Sequence, residues 1–162
     1  MIIKLNKYYE LKIYVNRLEK RTGICSQKYN EPDKHILLWD FDDVDLQGII
    51  VSLTQLQIKY NLPSILIAES SKGKYHAYCF VLRTLQQIIN ILSATHNIDM
   101  EYLRMGTARG YFTLRISTRK DNNKILPIRI LFSKVPDETT LMDVTVNEYL
   151  TSNFGGEKHG EK

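Results

Sequence analysis

The residues best suited to chemistry are two aspartates placed two positions apart, Asp40 and Asp42, in Trp39-Asp40-Phe41-Asp42. They follow a short apolar run, His35-Ile36-Leu37-Leu38-Trp39, which reads as a buried strand. Residues i and i+2 of a strand share a face, so both carboxylates project to the same side of its end. Paired carboxylates repel unless a cation lies between them. Oxygen ligands of this kind suit Mg²⁺ or Mn²⁺. The competing reading is a solvated strand end with one aspartate capping the next helix, a role that Asp43 or Asp45 can fill instead.

A second constellation is Ser70-Ser71-Lys72-Gly73-Lys74-Tyr75-His76. A small, hydroxylated, basic turn offers backbone amides and ammonium groups to a polyphosphate. His76 lies on the strand that leaves it. No Gly-x-x-x-x-Gly-Lys-Ser/Thr loop is present, so this is not a P-loop. An ordinary exposed hairpin is the plain alternative. A third group, Arg104, Arg109, Arg115, Arg119 and Lys120, is interleaved with Tyr111 and Phe112. Charge for phosphates beside flat faces for bases is what a nucleic-acid strand needs, although any single arginine here also reads as solvated surface.

The elements that must position these residues follow from periodicity. Leu5 to about Arg21 reads as an amphipathic helix, and Thr22–Lys34 as a loop with Gly23 and Pro32. After the strand ending at Asp40, the apolar residues Leu46, Ile49, Ile50, Leu53, Leu56 and Tyr60 predict a helix that stops at Asn61-Leu62-Pro63. Strands are expected over Ser64–Glu69 and Tyr75–Leu82. Thr84 with Gln87 has capping-box spacing and opens a second helix. A fourth strand is expected around Asn97–Met105. Two more are expected near Tyr111–Ser117 and Ile125–Phe132, joined by the turn Lys120-Asp121-Asn122-Asn123. The fold class is thus α/β (α+β), with a split β-α-β core of the ferredoxin-like kind, an N-terminal helix and additional C-terminal strands. Residues 1–152 read as a single domain and 153–162, with three glycines, as a flexible tail.

The chain has 162 residues, 43% hydrophobic, enough for one core. The net charge of +4 is compatible with a nucleic-acid partner without requiring one. Cys25 and Cys79 form no Cys-x-x-Cys pair, which argues against structural zinc. Cys79, in Tyr78-Cys79-Phe80-Val81, reads as a core thiol. The sequence shows neither a secretory h-region nor an apolar run of membrane-spanning length, so a cytoplasmic protein with no membrane partner is expected.

Taken together, the three constellations resemble the archaeo-eukaryotic primase superfamily, particularly its small plasmid- and virus-type primase-polymerases. The Asp-x-Asp at a strand end is matched by Asp40 and Asp42, the small-x-x-x-His turn by Ser71–His76, and the later acidic residue by Asp99. The Arg-apolar-Ser-x-Lys-like strand is matched by Arg115-Ile116-Ser117-Thr118-Arg119. The resemblance covers roughly residues 36 to 120. It implies an RRM-like catalytic core holding Mg²⁺ or Mn²⁺ through Asp40, Asp42 and Asp99. It also implies that Ser71, Lys74, His76 and Arg115 bind a nucleoside triphosphate, and that Arg109, Arg119 and Lys120 contact a single-stranded DNA template. A helicase or other replication protein is an expected partner. Glu101 and Asp143 compete with Asp99 for the third carboxylate, and Asp99 is preferred because it opens the strand expected beside Asp40. The chain is short for a complete primase and lacks the Cys/His zinc element of many members. Ile36-Leu37-Leu38-Trp39-Asp40-Phe41-Asp42-Asp43-Val44 also resembles the first motif of haloacid-dehalogenase-type phosphatases, in which the first aspartate is a nucleophile. A non-catalytic single-strand-binding replication accessory protein is the third reading.

Overall fold

The computed structural model describes residues 2–4, 10–12, 18–116 and 125–152. The chain is a mixed α+β protein in which a seven-stranded, wholly antiparallel sheet is accompanied by three α-helices. Its elements run β1 (Ile2–Lys4), β2 (Glu10–Lys12), β3 (Leu18–Lys28), β4 (Glu31–Asp42), α1 (Leu46–Tyr60), β5 (Ile65–Ser71) and β6 (Lys74–Arg83). They continue through α2 (Leu85–Ser93), α3 (Met100–Arg109), β7 (Thr113–Arg115), β8 (Leu126–Leu131), a short 3-10 turn at Leu141–Asp143, and β9 (Val144–Ser152). The sheet order is β7-β3-β4-β6-β5-β8, with β9 also on β3; β1 and β2 form a separate two-stranded ribbon.

β4 is the spine. Ile36, Leu37, Leu38, Trp39 and Phe41 are all fully buried, so both faces of this stretch are covered. That explains why the sequence run is continuous in hydrophobicity rather than alternating. β4 pairs with β6, and β6 pairs with β5, all antiparallel. β4 and β5 are therefore parallel strands, joined through α1 and separated by β6, which is the split β-α-β arrangement expected from the element order.

The helices behave as their caps dictate. Asp45 caps α1 by accepting from the Gly48 amide at 3.2 Å, and Asn61 ends it in the left-handed conformation at φ 50°. Ile49, Leu53 and Leu56 form its buried stripe. Thr84 and Gln87 close a full capping box on α2, which buries Ile88, Ile91 and Leu92. The Trp39 indole donates to Thr95 Oγ1 at 3.0 Å just past α2. Because strand neighbours alternate, Trp39 marks the helix-covered face and Asp40 projects to the other.

Several expectations are corrected. The described parts of the N-terminal segment are strands rather than the expected helix; β3, from Leu18, pairs with β9 along Leu18–Ile24. Tertiary pairing has overridden a local amphipathic pattern. The expected loop Thr22–Lys34 is instead a hairpin, with Asn30 at φ 66° in its turn. The expected fourth strand around Asn97–Met105 is helix α3, which Asp99 caps. β7 and β8 are not neighbours: β7 joins β3 and β8 joins β5, on opposite sides of the sheet. β9 was not expected at all. The turn at 120–123 and the tail at 153–162 lie outside the described residues.

α3 packs closely. Tyr102, Leu103 and Gly106 face inward, and a Cβ on Gly106 would lie 2.1 Å from the Phe112 ring. Tyr102 stacks at a tilt on Phe112 with centroids 5.3 Å apart. Its hydroxyl donates to the Leu38 carbonyl at 3.0 Å, which ties α3 to β4 two residues before Asp40.

Candidate functional site

Cross-strand register builds the site. On β4 and β6, Asp40 faces His76, Asp42 faces Lys74, and Leu38 faces Tyr78. Directly paired residues share a face, so Asp40, Asp42, His76, Tyr78 and Lys74 all line one side of the sheet. The hairpin from β5 to β6 turns through Lys72 and Gly73, with Gly73 at φ 73°, a conformation that glycine adopts without strain.

Asp99 reaches the same place from a different element. Its amide donates to the Asp40 carbonyl at 3.0 Å, which pins the start of α3 to the end of β4. Its side chain accepts from the amides of Glu101 at 2.8 Å and Tyr102 at 3.4 Å. The strand expected at Asp99 is absent, yet its proximity to Asp40 is present by this other route. The rivals stand elsewhere. Glu101 forms a doubly bonded pair with Arg104. Asp143 folds back on Thr139 and Thr140 in its own turn, and those hydrogen bonds hold its carboxyl below the usual range.

Asp40 is the anomalous group. Burial first, then the charges of Asp42 and Asp99, raise its pKa from 3.8 to about 7, with Lys74 partly opposing them. His76 Nε2 lies 3.7 Å from Asp40 Oδ1. Asp42, more exposed, is ion-paired with Lys74. Asp40 is thus a carboxyl that resists ionisation, chiefly through burial, beside two further acidic side chains.

The other expected site residues divide. Ser71 ends β5 and pairs in register with Lys74. The Gly73 amide already donates to Glu69 Oε1 at 3.4 Å, so it meets a new anion only by exchanging that partner. Arg115, on β7, is buried, and its Nη2 donates to the Ser70 carbonyl at 3.3 Å, joining β7 to the turn strand. Arg109, the last residue of α3, is exposed and lies over the Tyr111 ring at 5.8 Å. Arg119 and Lys120 lie outside the described residues.

Sequence reasoning missed Tyr78. Its hydroxyl is 3.2 Å from His76 Nδ1, and burial first and the nearby Asp40 charge second keep the phenol protonated well above its ordinary range. The signal was available in strand alternation, since Tyr78 is two residues after His76. The apolar run around Cys79 masks it. That run is indeed core: Cys79 is fully buried and its thiol is pushed up to about 12, chiefly by burial.

Among the described residues, no group of three or more His, Cys, Asp or Glu side chains is set closely enough to hold a metal ion by itself. The donors do fit the chemistry of Mg²⁺ or Mn²⁺, which take few carboxylates and complete their shells with water and substrate phosphates. Comparisons with protein-family models, characterised proteins and solved structures found no match to this chain. No helix among the described residues is long and apolar enough to cross a membrane.

Proposed function

We propose that the chain is a metal-dependent nucleotidyltransferase of the DNA/RNA primase-polymerase kind, forming phosphodiester bonds from nucleoside triphosphates on a single-stranded template. The observation that carries this reading is Asp40, lifted to about 7 beside Asp42 and Asp99 on the sheet face that also bears His76. Such an arrangement gains most from a divalent cation. Asp40, Asp42 and Asp99 would hold Mg²⁺ or Mn²⁺. When bound, such ions lower the pKa of an attacking 3′-hydroxyl and offset charge on the leaving pyrophosphate.

The protein's own groups have distinct tasks. His76 presents a ring nitrogen beside Asp40, where a phosphate oxygen would enter. Lys74, now paired with Asp42, would bind phosphate once that carboxylate had another partner, and Ser71 would supply a hydroxyl at the turn. Arg115, held by the Ser70 carbonyl, adds fixed positive charge behind the site. Arg109, with Arg119 and Lys120, engages the template backbone. The split β-α-β core is compatible with an RRM-like catalytic domain. A helicase or other replication protein is the partner that this activity calls for.

The phosphatase reading is weaker on one physical ground. A nucleophilic aspartate must be ionised and open, whereas Asp40 is only partly exposed and resists ionisation. One observation favours a non-catalytic single-strand-binding module: Lys74 and the Gly73 amide are engaged by Asp42 and Glu69. Template-directed incorporation of labelled nucleotides with Mn²⁺ separates the readings. Incorporation lost in Asp40→Ala supports the transferase. Single-strand binding with no incorporation supports the binding module, and phosphate release from p-nitrophenyl phosphate supports the phosphatase.

A further inference from the structure

We propose that Tyr78 is a positioning residue that fixes His76 as a hydrogen-bond donor facing Asp40. Its hydroxyl donates to Nδ1, so the ring proton sits on Nε2, the nitrogen turned to the carboxylate. His76 is then an N–H donor for an incoming anion rather than a metal ligand. The inference deepens the nucleotidyl-transfer reading, and rests on it only for the anion being a phosphate.

The geometry comes from one strand and its neighbour. His76 and Tyr78 lie on the same face of β6, their rings edge to face with centroids 6.3 Å apart. The Tyr78 oxygen is 3.2 Å from Nδ1, and Asp40 Oδ1 is 3.7 Å from Nε2. A neutral imidazole carries one proton, and the partner of one nitrogen decides the role of the other. If Nδ1 held the proton, the buried Tyr78 hydroxyl proton would lose Nδ1 as its acceptor. The opposite tautomer keeps the Tyr78 hydrogen bond and turns an N–H toward the site. Tyr78 is 7% exposed and His76 5%, so water competes weakly for either bond, and a buried phenol without an acceptor is costly. Burial also keeps Tyr78 a neutral phenol able to donate.

The arrangement has a chemical consequence. A metal-binding histidine offers a lone pair, and its other nitrogen usually donates to a carboxylate or carbonyl. Here the order is reversed: the inner nitrogen accepts from a phenol and the outer one carries hydrogen into the site. Such a group recognises oxyanions and leaves cations to Asp40 and Asp42.

The test is the tautomer of His76 in the full chain, read by nitrogen-15 NMR of the imidazole at about pH 8, where histidine is ordinarily neutral. The His76 signal is identified by its loss in His76→Gln. Wild type is expected to show the Nε2–H form. Tyr78→Phe, with its amide spectrum otherwise preserved, is expected to shift toward a mixture. In incorporation assays the same variant should raise KM for the nucleotide about tenfold, the worth of roughly one hydrogen bond, while kcat changes little. An Nδ1–H form in wild type overturns the proposal, as does a Tyr78→Phe tautomer identical to wild type. If Tyr78→Phe fails to fold, the wild-type tautomer alone still decides. The NMR arm needs no turnover, so a chain that incorporates nothing refutes the transferase reading while leaving this assignment to stand or fall separately.

Discussion

At the scale of single residues, the account turns on Asp40. Its pKa is raised from 3.8 to about 7, so its stabilising contribution is complete below about pH 4 and is lost as pH rises through 7. Between those values the unfolded chain releases its proton before the folded one does. An asparagine at this position cannot ionise, so Asp40→Asn is expected to gain stability over wild type as pH rises, by at most about 4 kcal/mol above pH 7. Urea unfolding at pH 5 and pH 8 checks this, and parallel behaviour of the two proteins would show that Asp40 is not strained. The same substitution should abolish incorporation, so the group that weakens the fold is the one that function needs. His76→Ala belongs to this scale as well. It should weaken triphosphate binding more than single-strand binding, compared by titration with labelled ligands; equal losses would contradict its place beside the phosphates.

At the scale of elements, α3 shows both how far the sequence could be read and where it failed. The apolar run of β4, the Asp45 cap of α1 and the Thr84–Gln87 box of α2 each carry a local signal that the structure reproduces. Asp99-Met100-Glu101 carries one too, an N-cap with an acidic first turn, but the expectation of a strand closing the split β-α-β unit outweighs it. β3 and β9 were illegible for a different reason. Their partners lie more than a hundred residues apart, Leu18 opposite Ser152, and no local pattern encodes such pairing. The proximity of Asp99 to Asp40 likewise depends on a backbone bond between α3 and β4 that spacing alone does not reveal. Two substitutions separate the roles of Asp99. Asp99→Ala removes the cap and should cost about 1 kcal/mol. Asp99→Asn keeps a capping oxygen, so it should hold thermal stability near wild type while losing Mn²⁺-dependent incorporation. An active Asp99→Asn would remove this residue from the site. In the same helix, Gly106→Ala forces a methyl group into Phe112 and should cost about 1–3 kcal/mol, read as a lowered midpoint of urea unfolding.

At the scale of the whole molecule, the sheet divides the labour. One face, marked by Trp39 and α2, is core along the length of β4. The opposite face is buried at Ile36 and Leu38 and carries charged groups only toward the end of β4, on β6 and at the β5–β6 turn. Arg115 is buried against Ser70, so among the basic residues of this region the exposed Arg109, with Arg119 and Lys120, is expected to meet the template. Single-strand binding should therefore fall steeply with salt, and Arg109→Ala with Arg119→Ala should flatten the log–log slope. An unchanged slope would make the basic residues ordinary surface. The central proposal is that Asp40 and Asp42 together would hold a divalent cation. Electron paramagnetic resonance of Mn²⁺ tests it most directly, because the free-ion signal falls as the ion binds. With a nucleoside triphosphate present in both samples, wild type should deplete that signal well beyond the depletion by the triphosphate alone, and the Asp40→Asn, Asp42→Asn double variant should not. Equal depletion by wild type and the double variant would contradict the account.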